Sequence, residues 1–175
     1  GGEPLLVPEL TFVLARRINA LGDLGYLRLN TNGFNLERYA ESIAESGFTK
    51  VKLSVDRLDE APNSKSLASV SGGIDKLQRY KVPLRINMVV SKDNLSDVPA
   101  MMDFCEKKEI EFKLFDMTFY KDALSSDPDF WKKHFVSLLP TAQELEEKYG
   151  EPKIVYAVGG YGNPMPVFRA ESLAP

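Results

Sequence analysis

Four extended stretches of this chain carry cations at positions where a buried parallel strand would carry aliphatic residues. In "KVKLSVD", Lys52, Ser54 and Asp56 alternate with Val51, Leu53 and Val55, and in "LRINMVV", Arg85 and Asn87 alternate with Leu84, Ile86 and Met88. "YLRLNTNG" sets Arg28, Asn30 and Asn32 against Leu27 and Leu29, while Lys113 interrupts "EFKLF". Successive strand side chains point to opposite faces, so each strand has one apolar and one polar face. Arg85, Lys52 and Lys113 suit phosphate or carboxylate groups, and Asn30, Asn32, Ser54 and Asn87 supply neutral hydrogen bonds. Enclosed together, such cations need a counter-ion, because uncompensated buried charge is costly. The competing explanation is a sheet covered by helices on one side and wetted on the other.

The elements that must position these residues follow a helix-then-strand rhythm. Leu10, Val13, Leu14, Ile18 and Leu21 repeat at helical spacing before "YLRLNTNG". Leu36, Tyr39, Ala40, Ile43 and Ala44 mark a second helix, stopped near Gly47, before "KVKLSVD". A polar loop from Arg57 to Val70 leads to a helix near Ile74 to Tyr80 and then "PLRINMVV". Leu95, Val98, Met101, Met102 and Cys105 form another stripe before "EFKLFDM", with Asp93, Asn94 and Ser96 expected to cap that helix. Strands alternating with helices imply parallel pairing through crossovers. Curled into a barrel, they would turn their polar faces to the interior.

Beyond Met117 the rhythm changes. "SSDPDFWKKHF" carries an Asp/Pro helix start, "PTAQELEEKYG" reads as a capped, charged helix, and "KIVYAVGGYGNPMPVFRA" reads as two short strands around a Gly/Pro turn. "GGYGNPMP" has the glycine density of a phosphate cradle but lacks the Lys-Ser/Thr ending of a P-loop. Trp131 and Phe135 fall at helical spacing and read as packing residues, and His134, beside Lys132 and Lys133, reads as a surface residue.

The 175 residues, 43% hydrophobic, suit one globular domain with a sizeable core, and a net charge of −3 gives no basic field for nucleic acid or a membrane surface. No apolar stretch is long enough to cross a bilayer, so a cytoplasmic location is expected, with no nucleic-acid and no membrane partner. One cysteine, Cys105, excludes an internal disulfide and a multi-cysteine metal site, and no metal ligand is assigned to the chain.

"GGEPLL", "LRLNTNG", "VKLSVD" and "LRINMVV", in this order on successive βα units, resemble the radical S-adenosylmethionine enzymes over about the first two thirds of the chain. Within that superfamily the chain most resembles the GTP cyclases that begin molybdenum-cofactor biosynthesis, whose strands read like "TTNG", "VSLD" and "VKLN". The resemblance implies an α/β fold: a partial (β/α)6 TIM-like barrel over 1–117, followed by a C-terminal extension over 118–175. It implies S-adenosylmethionine as cofactor. Gly1, Gly2 and Glu3 match the turn whose backbone receives the methionine amino group, and Ser54 matches a serine near the cofactor. Asn32, Asn87 and Met117 complete that set, Met117 matching a methionine that packs on adenine. Asn30, Arg85 and Lys113 form the implied substrate set: Arg85 stands where the cyclases have a lysine facing the GTP phosphates, Lys113 where they have an arginine, and Asn30 replaces the first threonine of "TTNG".

The family also implies a [4Fe–4S] cluster held by C-x3-C-x2-C, a 5′-deoxyadenosyl radical that abstracts substrate hydrogen, and a reductant such as flavodoxin or ferredoxin. The three-cysteine motif is absent here, so the cluster's ligands are expected outside this chain, which reads as part of a longer polypeptide and as inactive alone. A nucleotide is the implied small-molecule substrate. The alternatives are a peptide-modifying member of the superfamily and a non-catalytic barrel that lost its cluster.

Overall fold

The computed structural model describes residues 2–22, 25–60, 65–117, 127–156 and 164–168. The chain divides into two compact units, Gly1–Met117 and Thr118–Pro175.

The first unit opens on a 3-10 turn, Pro4–Leu6, and then alternates helices with strands: α1 Pro8–Asn19, β1 Arg28–Thr31, α2 Leu36–Glu45, β2 Lys50–Ser54, α3 Leu67–Arg79, β3 Leu84–Val90, α4 Val98–Lys107 and β4 Glu111–Asp116. The strands form one parallel sheet in the order β1-β2-β3-β4, as the alternating rhythm requires. This is the expected α/β partial barrel. Burial follows the sequence alternation: Leu29, Val51, Leu53, Leu84, Ile86, Met88 and Val90 are buried, whereas Lys52, Ser54, Arg85 and Asn87 between them are partly accessible. The apolar face meets Leu36, Ala40 and Ile43 of α2, Val70, Ile74 and Leu77 of α3, and Val98, Met101 and Cys105 of α4, all buried.

α3 begins seven residues before the apolar stripe alone suggested, at Leu67 instead of near Ile74. Ser66 caps it, its side chain accepting from Ser69 N–H, and Leu67 and Val70 add a buried first turn that the polar loop composition hid. Gly72 and Gly73 therefore lie inside a helix. Their place there is explained by packing, since a Cβ on Gly73 would come within 2.9 Å of the Glu37 backbone nitrogen of α2.

The cap assigned to Asp93, Asn94 and Ser96 is also corrected. Asn94 is buried and its amide bridges the Asp56 and Val89 carbonyls at 2.8 and 2.9 Å, while its Oδ1 accepts from Ser91 N–H. It ties the loop after β2 to the end of β3. α4 starts at Val98 with Pro99 in its first turn and no side-chain cap.

In the second unit, α5 spans Pro128–His134 and α6 Leu139–Tyr149; β5 Lys153–Tyr156 and β6 Pro164–Val167 pair antiparallel. Asp127 caps α5, accepting from Asp129 and Phe130 N–H, as the Asp/Pro start implied. Trp131 and Phe135 stack on one another, ring centroids 4.4 Å apart, and no α5 residue is buried. α6 lacks the expected side-chain cap at its N-cap residue, Leu138. The turn between β5 and β6, including most of "GGYGNPMP", lies outside the described residues.

Candidate functional site

Parallel register decides which polar side chains become neighbours, because residues paired across a sheet share a face. One row runs Asn30, Lys52, Arg85, Glu111 across β1 to β4. The next, nearer the C-terminal ends of the strands, runs Ser54, Asn87, Lys113. Val89 and Phe115 follow above it, the Lys113 ammonium lying 4.4 Å from the Phe115 ring centroid. Four residues assigned from three stretches of sequence, Ser54, Arg85, Asn87 and Lys113, thus occupy adjacent positions, and Asn30 stands exposed at the edge of the first row.

The electrostatics of this face are unbalanced. Burial lowers the pKa of Lys52 from its ordinary value, and the charges of Arg85, Arg28, Lys113 and Lys50 push it the same way. Lys113 is lowered by burial and then by Arg85. Arg85 is lowered by burial and by Arg28, against the favourable pull of Glu111. Glu111 itself pairs with Lys50, whose ammonium reaches it from β2. Two buried atoms on this face lack a hydrogen-bond partner: Arg85 Nε, a donor, and Asn87 Oδ1, an acceptor. A ligand offering both an anionic oxygen and an N–H or O–H would answer them.

This surplus has a pH signature. Lysines whose folded pKa is depressed bind fewer protons folded than unfolded, so stability rises with pH between the depressed values and the ordinary lysine value near 10.5. The variant Lys52→Met/Lys113→Met is therefore expected to melt above the parent at about pH 8, the gap narrowing towards about pH 10.5. Melting curves across that range check it; a constant gap means the two ammoniums are not in conflict. Inorganic pyrophosphate should raise the parent's melting point and leave the variant's nearly unchanged.

Of the remaining assigned residues, Glu3 and Asn32 meet at the C-terminal end of β1. Gly2 is exposed just ahead of the first 3-10 turn, and Gly1 lies outside the described residues. Glu3 uses both carboxylate oxygens within the chain: Oε1 accepts from Leu5 N–H at 3.1 Å and Thr31 Oγ1–H at 2.6 Å, and Oε2 from Asn32 N–H at 2.7 Å. The Asn32 side chain accepts from Phe34 N–H, closing the turn after β1. Met117 is half-buried immediately after β4.

Sequence reasoning passed over three participants. Glu111 lies two residues before Lys113 and hence on its face, Lys50 likewise precedes Lys52, and Thr31 sits among the apolar positions of β1, 4% exposed. The period-two rule could have found the first two. Nothing in the sequence marked Thr31.

The thiolate set of an iron–sulfur cluster does not fit this chain. Cys105 is buried on α4 and its thiol is pushed up to about 12 by desolvation, the opposite of a ligating thiolate. Among the described residues no group of three or more His, Cys, Asp or Glu could hold a metal, and no helix is long and apolar enough to cross a membrane.

Comparison with known proteins agrees with this geometry. No protein-family model matches the chain. A probable GTP 3′,8-cyclase of Methanococcus maripaludis is 28% identical over 151 residues, covering 83% of this chain and 48% of that protein. The GTP 3′,8-cyclase of Caulobacter vibrioides is 32% identical over 124 residues, 66% of this chain and 36% of that protein. The chain thus spans about half the length of the curated relatives it matches, or less. Streptococcus suis SuiB bound to S-adenosylmethionine superposes over 85% of this chain and 36% of its own, TM-score 0.59, at 16% identity. anSMEcpe with bound AdoMet and a peptide matches over 76% of this chain and 42% of its own, TM-score 0.51, at 23% identity. The likeness to radical S-adenosylmethionine enzymes expected from the strand motifs therefore holds: in sequence this chain is similar to the GTP 3′,8-cyclases, and in fold it is the partial parallel barrel found in structures that carry S-adenosylmethionine.

Proposed function

We propose that this chain forms the ligand-holding part of a radical S-adenosylmethionine enzyme acting on a purine nucleoside triphosphate, in the manner of the GTP 3′,8-cyclases it resembles. The observation that carries the reading is the polar sheet face: Lys52, Arg85 and Lys113 converge there with Arg85 Nε and Asn87 Oδ1 buried and unpartnered. Phosphate oxygens answer Arg85 and the ammoniums, and the carboxylates of the face are already paired, Glu111 with Lys50 and Asp56 with Lys65. Ser54 and Asn87, nearer the C-terminal ends of the strands where parallel barrels place ligands, would hydrogen-bond S-adenosylmethionine together with Asn32, the backbone of Gly2 and, beyond the described residues, Gly1. Met117, following β4, would cover its adenine.

When bound at a reduced cluster, S-adenosylmethionine supplies hydrogen-abstracting radical chemistry. The cluster's thiolates must come from outside these 175 residues, which contain one cysteine. What these residues do is hold: the cations fix the polyphosphate, the Ser54–Asn87 row orients the cofactor, and the helix-covered sheet keeps both rigid. A flavodoxin- or ferredoxin-type reductant and a cytoplasmic setting belong to the same proposal. A peptide substrate is the second reading, favoured by the peptide-bound neighbour.

Calorimetric titration of the full-length protein tests the reading. S-adenosylmethionine and GTP should both bind, and Ser54→Val should weaken the former by roughly five- to a hundred-fold, as expected for about 1–3 kcal/mol from a lost buried hydrogen bond. Unchanged cofactor affinity places Ser54 outside the site. Absence of GTP binding alongside intact S-adenosylmethionine binding turns the reading towards the peptide alternative.

A further inference from the structure

The Glu3 carboxylate is close to fully engaged, and every group it touches belongs to a different piece of the site's rim. Leu5 N–H opens the first 3-10 turn, Thr31 Oγ1 ends β1, and Asn32 N–H starts the turn after it. Thr31 in turn accepts from Gly33 N–H at 3.1 Å, and Asn35 donates to the Leu5 carbonyl at 3.2 Å. A segment thirty residues upstream is thereby laced to the C-terminal end of β1. Charge-assisted bonds of this kind are stronger than neutral ones and fix direction. The amide alternative cannot reproduce them: a glutamine offers one acceptor oxygen to three donors, and its NH2 would confront a backbone N–H or the threonine hydroxyl.

We infer that Glu3 and Thr31 form a positioning clamp that holds the Gly2–Glu3 backbone at a fixed distance from Asn32 and, through β1 and β2, from Ser54. Neither side chain contacts the ligand. Glu3 is assigned here to the chain's own backbone, and Thr31, which carries no sequence signal, becomes its obligatory partner. The inference rests on the S-adenosylmethionine reading for the ligand it serves, whereas the clamp itself is a property of the unliganded fold. Its function is preorganisation: a rim already ordered has less conformational freedom to lose when the ligand arrives.

Hydrogen exchange and calorimetry on the full-length protein separate the two levels. In Glu3→Gln and in Thr31→Val, the Leu5 and Asn32 amides should exchange about ten-fold faster or more, while Val55 N–H, bonded to the Asn87 carbonyl at 3.0 Å, keeps its protection. S-adenosylmethionine affinity should fall about ten-fold in both, GTP affinity should not change, and Thr31→Ser, which keeps the hydroxyl, should restore both readings. If Glu3→Gln does not fold, Thr31→Val and Thr31→Ser carry the same comparison. Unaltered Leu5 and Asn32 exchange overturns the clamp. Faster exchange with unchanged S-adenosylmethionine affinity overturns its positioning role. A parent protein that binds no S-adenosylmethionine overturns the radical-enzyme reading and the positioning role with it, while the exchange data still decide whether the clamp exists.

Discussion

Arg85→Met and Lys113→Met, each made in the full-length protein, are expected to weaken GTP binding by roughly thirty-fold, about 2 kcal/mol apiece, with S-adenosylmethionine affinity unchanged. Methionine keeps most of the apolar stem and removes the charge, so packing along the sheet is preserved and the loss reports electrostatics. The Arg85 effect should be the larger. Its Nε is buried without a partner, and a guanidinium engages phosphate through a fork that an ammonium lacks. The two residues sit on neighbouring strands, one register row apart, so the double variant should not be additive. Salt should weaken parent binding only in part, because a half-buried pair is screened less than a surface pair. Equilibrium titration of GTP, GMP and inorganic pyrophosphate checks all of this. If both variants bind every phosphate as the parent does, the cationic face is not a polyanion site and the nucleotide reading falls.

The second large effect falls on the scaffold. Gly73→Ala should destabilise the first unit by about 2 kcal/mol although alanine is the better helix former by about 1 kcal/mol. A Cβ at position 73 would lie 2.8 Å from Leu36 Cβ and 2.9 Å from the Glu37 backbone nitrogen, and backbone cannot swing aside. Gly72→Ala is the control. There the nearest atom is Glu37 Oε2 at 2.7 Å, the far end of a flexible side chain that can rotate away, so the helix-propensity gain should dominate. Thermal unfolding should place Gly73→Ala below the parent by about 4–8 °C and Gly72→Ala at or above it. Equal behaviour of the two would mean that α2 and α3 do not approach as closely as the structure shows.

The strands were readable because each is only half apolar. In "KVKLSVD" and "LRINMVV" a two-residue period sorts cations from aliphatics without any tertiary information, and helical stripes between them force parallel pairing. α3 was misjudged at its start for a local reason. "SLASVSGG" has the composition of a loop, and only contact with α2 makes its glycines favourable inside a helix. Asn94 looked like a cap because asparagine ahead of an apolar stripe usually is one. Burial within reach of the Asp56 and Val89 carbonyls made a bridge from the loop after β2 to the end of β3 the better use of its amide.

Strand alternation is a property of the covalent chain, so the α/β rhythm, the polar strand faces and the identity of the cations on them are legible without any fold. Register is not: that Lys52 lies beside Arg85 and Asn87 beside Lys113 depends on how far each strand slides against its neighbour. Only the tertiary arrangement turns Glu111 to Lys50, buries Arg85 Nε and Asn87 Oδ1 without a partner, and brings Glu3 to Thr31 and Asn32. Each of these joins residues nearly thirty or more positions apart or concerns an atom's access to water. Local propensity carries no information on either.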